Sequence, residues 1–347
     1  MIGLFTKQQA TAERELDPQL AHLTGEAAKL HVKHPAAQQG VPPIPLWQKV
    51  PSQPGEAAHQ DYYRLPLLKE PVWIWSVPAY FYLGGVAGGS ALLATLAHGK
   101  RGLKKLASLC RGLAFAGTTV GPALLTYDLG RMGRFLNMLR VFRPSSPMSV
   151  GSWSLAGSGA LATLALIQGD RPAAKPTTRA LAGGGLVVSG YTGVLLGNSA
   201  NPLWQGTRLT LPLLFTASAI ASTSALLELF TLNRQEERVV RRFGTIGKIA
   251  EAGSMALFEL EAAQNPEAAR ALNRSKAGVL WNGAKGFLVA GIAVSLLPGH
   301  SVGKRRAAGT LTTIGALCLR FGLLEAGKEA VRDPQAVIKA QRKGDGR

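Results

Sequence analysis

Apolar runs of roughly 18 to 23 residues recur along the chain after about residue 60, separated by short polar stretches. Each is long enough for a helix to cross a hydrocarbon core of about 30 Å. The pattern predicts helices at Trp75 to Ala97, Leu106 to Tyr127, Val150 to Gln168, Ala180 to Leu196, Leu209 to Phe230, Thr245 to Glu261, Val279 to Pro298 and Ala307 to Ala326. The expected fold is therefore all-α, a polytopic transmembrane helix bundle of about eight spans. The sixth segment carries Lys248, Glu251, Glu259 and Glu261, so it either spans or lies along the interface, which would leave seven. In the second, Arg111 near one end is placed to snorkel to the headgroups, and Gly121-Pro122 is a candidate kink.

Outside these runs the pattern is polar. Residues 1–60 hold Pro, Gln, His and Lys with no apolar stretch, which predicts a largely disordered tail without a cleavable signal peptide. A short helix near Ala10 to Leu30 is the one element expected there. The bundle should occupy residues 61–330, with a basic C-terminal tail over 331–347. Glycines cluster at Gly84-Gly85 and Gly88-Gly89 in the first run, at Gly157 and Gly159 in the third, and at Gly183 to Gly185, Gly190 and Gly193 in the fourth. Lipid gives helices no hydrophobic reason to associate, so such small residues are read as packing sites.

Composition agrees: 17% of the 347 residues are charged and 41 are glycine. The net charge of +19 comes from short clusters between uncharged stretches, so no nucleic-acid partner is expected. Lys100, Arg101, Lys104 and Lys105, then Arg171, Lys175 and Arg179, then Arg234, Arg238, Arg241 and Arg242, then Lys304 to Arg306 follow alternate helices. By the positive-inside rule those loops are cytoplasmic and both termini lie outside, although Lys339, Arg342, Lys343 and Arg347 argue the other way.

One interhelical stretch, "YDLGRMGRFLNMLRVFRPSSPMS" (127–149), carries a polar residue at every third position: Asp128, Arg131, Arg134, Asn137, Arg140 and Arg143. If Arg134 to Phe142 is a short surface helix, Arg134, Asn137 and Arg140 share one side and Phe135, Met138, Leu139 and Phe142 the other. Pro144 and Pro147 end it. Asp128 and Arg131 stand one turn apart and can pair. Either these groups only meet lipid phosphate, or they form a functional ledge. Glu228, Arg320 and Glu325 are further charges at membrane depth, read as pairing between helices or as serving proton movement.

Three stretches, "KEPVWIWSVPAYFYLGGVAGGSALL" (69–93), "YDLGRMGRFLNMLRVFRPSSPMSVGSW" (127–153) and "YTGVLLGNSANPLW" (191–204), together resemble the NrfD and polysulfide reductase membrane-subunit family. Where many relatives have Pro after "DLGR", this chain has Met132. The resemblance implies a multi-pass subunit of the bacterial cytoplasmic (inner) membrane. It implies electron exchange between a quinone, menaquinone or ubiquinone, and a docked ferredoxin-like iron-sulfur subunit, itself connected to a molybdopterin or multihaem catalytic subunit. A non-catalytic membrane anchor is the alternative, and a secondary transporter a further one, although no internal repeat is evident.

The residues fit a diffusible redox partner. The six histidines are His22, His31, His34 and His59 in the tail and His98 and His300 at helix ends, and the two cysteines, Cys110 and Cys318, lie in separate apolar runs. Neither a haem pair nor a cluster-binding set is expected, and no metal site. Quinone reduction takes two electrons and two protons, so donors at the carbonyls and a route to water are needed. Relatives present an Asn and a His where this chain has Val77 and Tyr80; Tyr80 can donate instead, or it belongs to the interfacial aromatic belt with Trp73, Trp75, Phe81 and Tyr82. Tyr191 is the expected second donor, by analogy with a quinone-contacting tyrosine in the family. Asp128 is the expected proton carrier, with Arg131 tuning it and Trp153 beside the quinone. Arg134, Asn137, Arg140 and Trp204 are expected at the iron-sulfur partner.

Overall fold

The computed structural model describes residues 67–129, 137–298 and 301–344, together with two strands near the N-terminus. Those strands, β1 (Leu16–Asp17) and β2 (His22–Leu23), pair antiparallel, Leu16 opposite Leu23. They occupy part of the helix expected over Ala10 to Leu30, the rest of which lies outside the described residues. Among the described residues from 67 onward the regular elements are all helices, the first starting at Ser76. The α-helices are α1 (Ser76–Ala97), α2 (Lys104–Leu129), α3 (Pro147–Gln168), α4 (Lys175–Gly197), the short α5 (Pro202–Gly206), α6 (Thr210–Leu227), α7 (Arg234–Ala262), the single turn α8 (Pro266–Ala269), α9 (Ser275–Leu296), α10 (Val302–Arg332) and α11 (Pro334–Gly344).

Eight long helices, α1 to α4, α6, α7, α9 and α10, thus stand where the apolar pattern placed them. Six of these are long and apolar enough to cross a membrane; α2 and α7 are long but more polar. Their starts follow local chemistry. Ser146 caps α3 through Ser149 N with Pro147 at the first position, and Ser301 accepts from Lys304 N at α10. At α7, Asn233 Oδ1 accepts from Gln235 and Glu236 N while Glu236 returns a bond to Asn233 N at 3.0 Å, a reciprocal cap.

The centre is glycine-rich α1, which packs on α2, α4, α6 and α10. At its closest crossing with α4, a Cβ on Gly88 would run into the Gly185 carbonyl, so only hydrogen fits. On α3 and α9 much of the apolar surface faces outward, including Leu164, Ile167, Val279 and Val289, as lipid-facing helices require.

Three expectations change. Arg111 does not snorkel: it is 4% exposed, and its Nη1 lies 3.4 Å from Asp170 Oδ1 in the α3–α4 loop. Asp170 also accepts from Gly99 N and lies 3.4 Å from His98 Nδ1. A buried cation takes a nearby carboxylate in preference to an exposed site when packing encloses it. The polar sixth segment is not a strip along the surface. It is the 29-residue α7, packed along α6, with Lys248 and Glu251 each 3% exposed and turned inward. Finally, the stretch after 330 is not only a polar tail: α10 runs to Arg332, and α11 buries Ala336 and Val337.

Candidate functional site

Asp128, Tyr80, Tyr191 and Trp204 lie toward one end of the bundle, where α1 begins and α2 and α4 end. The N-terminal turn of α1 leaves amides without intrahelical partners, and Trp75 at its cap position supplies no side-chain acceptor. Asp128, arriving from the end of α2, bonds none of those amides and instead fixes the chain that leads into α1. Its Oδ1 accepts from Ile74 N at 3.1 Å and lies 3.5 Å from Ser76 Oγ. A carboxylate there also meets the positive end of the helix dipole. Beside it the Tyr127 ring lies 6.2 Å from Trp75. Arg131, expected as the partner of Asp128, lies outside the described residues.

Tyr80 sits one turn beyond Ser76, about 6 Å along the axis. It is 2% exposed, its ring fitted over Gly121 of α2 and Gly84 of its own helix. Tyr191, in the last two turns of α4, is half-buried and is an electrostatic neighbour of Tyr80. Its ring lies directly on Gly151 of α3: a Cβ there would overlap the ring carbons and the phenol oxygen. Two phenols are thus gathered between α1, α2, α3 and α4, each seated on a glycine of a neighbouring helix. The glycines of α3 and α2 that face them were legible only as packing residues.

The surface residues are placed differently. Of the short helix expected over Arg134 to Phe142, Asn137 is helical and 138–141 form turns and a bend; Arg134 lies outside the described residues. The helix does not reach Phe142 because serines from the start of α3 take up its backbone. Ser152 Oγ lies 3.4 Å from Met138 O, and Ser149 Oγ donates to Val141 O and accepts from Arg143 N. Asn137 and Arg140 are exposed. Trp153 is 42% exposed, edge-on to Phe142 at 6.2 Å. Trp204, by contrast, is 1% exposed. Its Nε1 donates to Leu323 O at 3.1 Å and its ring stacks on Trp73 at 5.8 Å. Packing between α10 and the entry to α1 leaves it no surface to offer a docked subunit.

Sequence reasoning missed the inner face of α7. Lys248 Nζ lies 3.8 Å from Glu228 Oε1 and donates to Ser295 Oγ at 2.9 Å, while Arg320 donates to Ser218 Oγ at 2.8 Å. Glu325 pairs not with Arg320 but with Lys328, at 2.8 Å. Among the described residues, no group of three or more His, Cys, Asp or Glu side chains is gathered to hold a metal ion.

A family model for NrfD-type polysulfide reductase matches residues 61–333. The chain belongs to this family. The match takes in all eight long helices of a membrane protein and every residue described above as part of the two-tyrosine site. No curated protein matches the chain. Membership in the polysulfide reductase family makes the chain, coarsely, a membrane component of oxidoreductase chemistry.

Proposed function

We propose that this polysulfide reductase family chain is the quinone-reactive subunit of a multisubunit oxidoreductase, passing electrons between the membrane quinone pool and a docked iron-sulfur subunit. The observation that carries the proposal is the seating of Tyr80 against Gly121 of α2 and of Tyr191 against Gly151 of α3, with Asp128 3.5 Å from Ser76 Oγ one turn before Tyr80. Menaquinone or ubiquinone is a substrate here, and the protein's part is binding and proton management.

Reduction adds two electrons and two protons to the ring, one proton on each carbonyl oxygen; oxidation reverses both. A phenol donates one hydrogen bond and suits a carbonyl oxygen that gains negative charge as electrons arrive. Tyr191, half-buried, is the donor on the open side; Tyr80, enclosed, is the donor on the inner side. Asp128, part-exposed, exchanges protons with water and passes them toward the phenols. Burial of Trp204 under α10 fits a role in holding the start of α1, and hence Tyr80, in place. Arg131 tunes Asp128, and the exposed Asn137 and Arg140, with Arg134 and flanked by Trp153, form the platform for the iron-sulfur subunit, which in turn serves a molybdopterin or multihaem catalytic subunit. The complex sits in the bacterial inner membrane, the basic loops in the cytoplasm and both termini outside.

A bare anchor has one observation in its favour, the hydrogen bonds that give Asp128 a structural role at the entry to α1. Tyr191→Phe in the assembled complex separates the two. It keeps the ring on Gly151 and removes only the hydroxyl. Quinone-linked turnover should fall by about tenfold or more with assembly intact; unchanged turnover favours the anchor.

A further inference from the structure

A second polar system occupies the other half of the bundle. At the end that carries the basic loops, a cavity of about 590 Å³ is lined by Arg238, Arg241, Ser295, Arg305 and Ala308, with Glu228 among its walls. Glu228 Oε1 lies 3.8 Å from Lys248 Nζ, which donates to Ser295 Oγ. One turn further along α7, Glu251 shares the inner face and interacts with the Ser218 hydroxyl, which accepts from Arg320 Nη1. Arg320 then lies 5.7 Å and 5.8 Å from the Tyr82 and Phe215 ring centres.

Glu228 Oε2, Glu251 Oε2, and Arg320 Nε and Nη2 are buried with no hydrogen-bond partner in the protein. Buried polar atoms are nearly always satisfied, and a polar interior reached from a cavity is where water supplies the missing bonds. From Glu228 to Ser218 is ten residues of α6, about 15 Å, or roughly half the hydrocarbon thickness.

We propose that Glu228, Lys248 and Glu251 line a water-filled proton-access route that enters from the basic-loop face and stops at Arg320 near the middle of the bundle. A hydronium in the cavity gives its proton to the Glu228 carboxylate, forming an O–H bond. The Lys248 ammonium gives a proton to the Glu251 carboxylate and is restored from Glu228. The route ends there because a guanidinium does not give up its proton, and the Tyr82 and Phe215 rings lie beyond it. This site is separate from the two-tyrosine site and stands whether or not that site takes quinone.

Thiol accessibility tests it in the full chain, in sealed vesicles of each orientation, with silver ion as the probe. Ser218→Cys and, separately, Lys248→Cys are placed in a Cys318→Ala background; native Cys110, 0% exposed and among apolar side chains, is the dry control. The route predicts loss of the free-thiol signal at position 218 or 248 when silver is on the basic-loop face, with Cys110 unreacted. It also predicts that Glu228→Leu, added to either variant, slows that loss. Protection of both positions equal to that of Cys110, or reaction from the opposite face, overturns the proposal. If Ser218→Cys does not accumulate, Lys248→Cys decides alone. Quinone turnover plays no part in the readout, so failure here and failure of the quinone reading are distinguishable.

Discussion

Gly151→Ala is the sharpest perturbation of the two-tyrosine site, because it adds one methyl group at the point where α3 touches the Tyr191 ring. The added Cβ would overlap several ring atoms at once, and those belong to a rigid aromatic with no flexible end to give way. Either α3 moves off α4 or the ring does. Overpacking of this kind costs about 1–3 kcal/mol, while replacing a helical glycine by alanine returns up to about 1 kcal/mol. The net change in stability is therefore a loss of about 0–2 kcal/mol, which melting temperature would register without saying where Tyr191 sits. Turnover is the better readout: displacing a catalytic group by ~1 Å can cost roughly a hundredfold in rate. Gly157, on the same helix with nothing within 4 Å of its would-be Cβ, supplies the control. In the purified complex, Gly151→Ala should cut quinone-linked turnover by about tenfold to a hundredfold, with Gly157→Ala near the parent. Equal turnover in both variants would refute the claim that the position of Tyr191 governs the chemistry.

Asp128→Asn keeps an acceptor for Ile74 N, so membrane insertion and assembly should persist while turnover drops by about a hundredfold or more, as for loss of a proton carrier; normal turnover would remove Asp128 from the mechanism. Trp204→Phe loses the bond to Leu323 O and leaves a cavity where the larger buried ring stood, so detergent-solubilised protein should lose about 1–3 kcal/mol in thermal or denaturant unfolding. Glu70 joins Arg332 through two bonds, at 2.6 and 3.1 Å, and the guanidinium holds its carboxyl below the usual carboxylate range. A depressed folded-state value means the contribution is complete above the ordinary carboxylate pKa and is lost as pH falls through the lowered one. Both side chains are largely exposed, so the difference between the parent and Glu70→Gln should be under about 1 kcal/mol near neutral pH and close in acid; a gap that widens in acid contradicts the sign.

The eight helices were legible because a lipid solvent imposes long apolar runs whatever the tertiary structure, and polar breaks between them are equally forced. Glycine runs were legible as packing sites for the same reason, and Gly88 against Gly185 is one of them. What stayed hidden depended on partners distant in sequence. Arg111 looked like a headgroup contact because Asp170, 59 residues away, could not be placed beside it. Lys248 and Glu251 made α7 look too polar to be interior, since periodicity does not say whether a polar stripe faces water or other buried charges. Trp204 read as a surface aromatic until Leu323 and Trp73 enclosed it. At the site, the residue types Tyr80, Tyr191 and Asp128 were visible in the sequence; the seating of the two rings on glycines and the bond from Ile74 N to Asp128 were not.

The central position of α1 bears on biogenesis. It is the earliest of the long helices to leave the ribosome, yet the surfaces that enclose it come from α2, α4, α6 and finally α10. Until the last of these is inserted, the side of α1 that Arg320 approaches at Gly85 has only lipid or the insertion machinery for company, while α2, α4 and α6 already cover the rest. Truncation before α10 would therefore leave the central helix of the native molecule with an open flank, making nascent chains that stall there natural targets for membrane quality control.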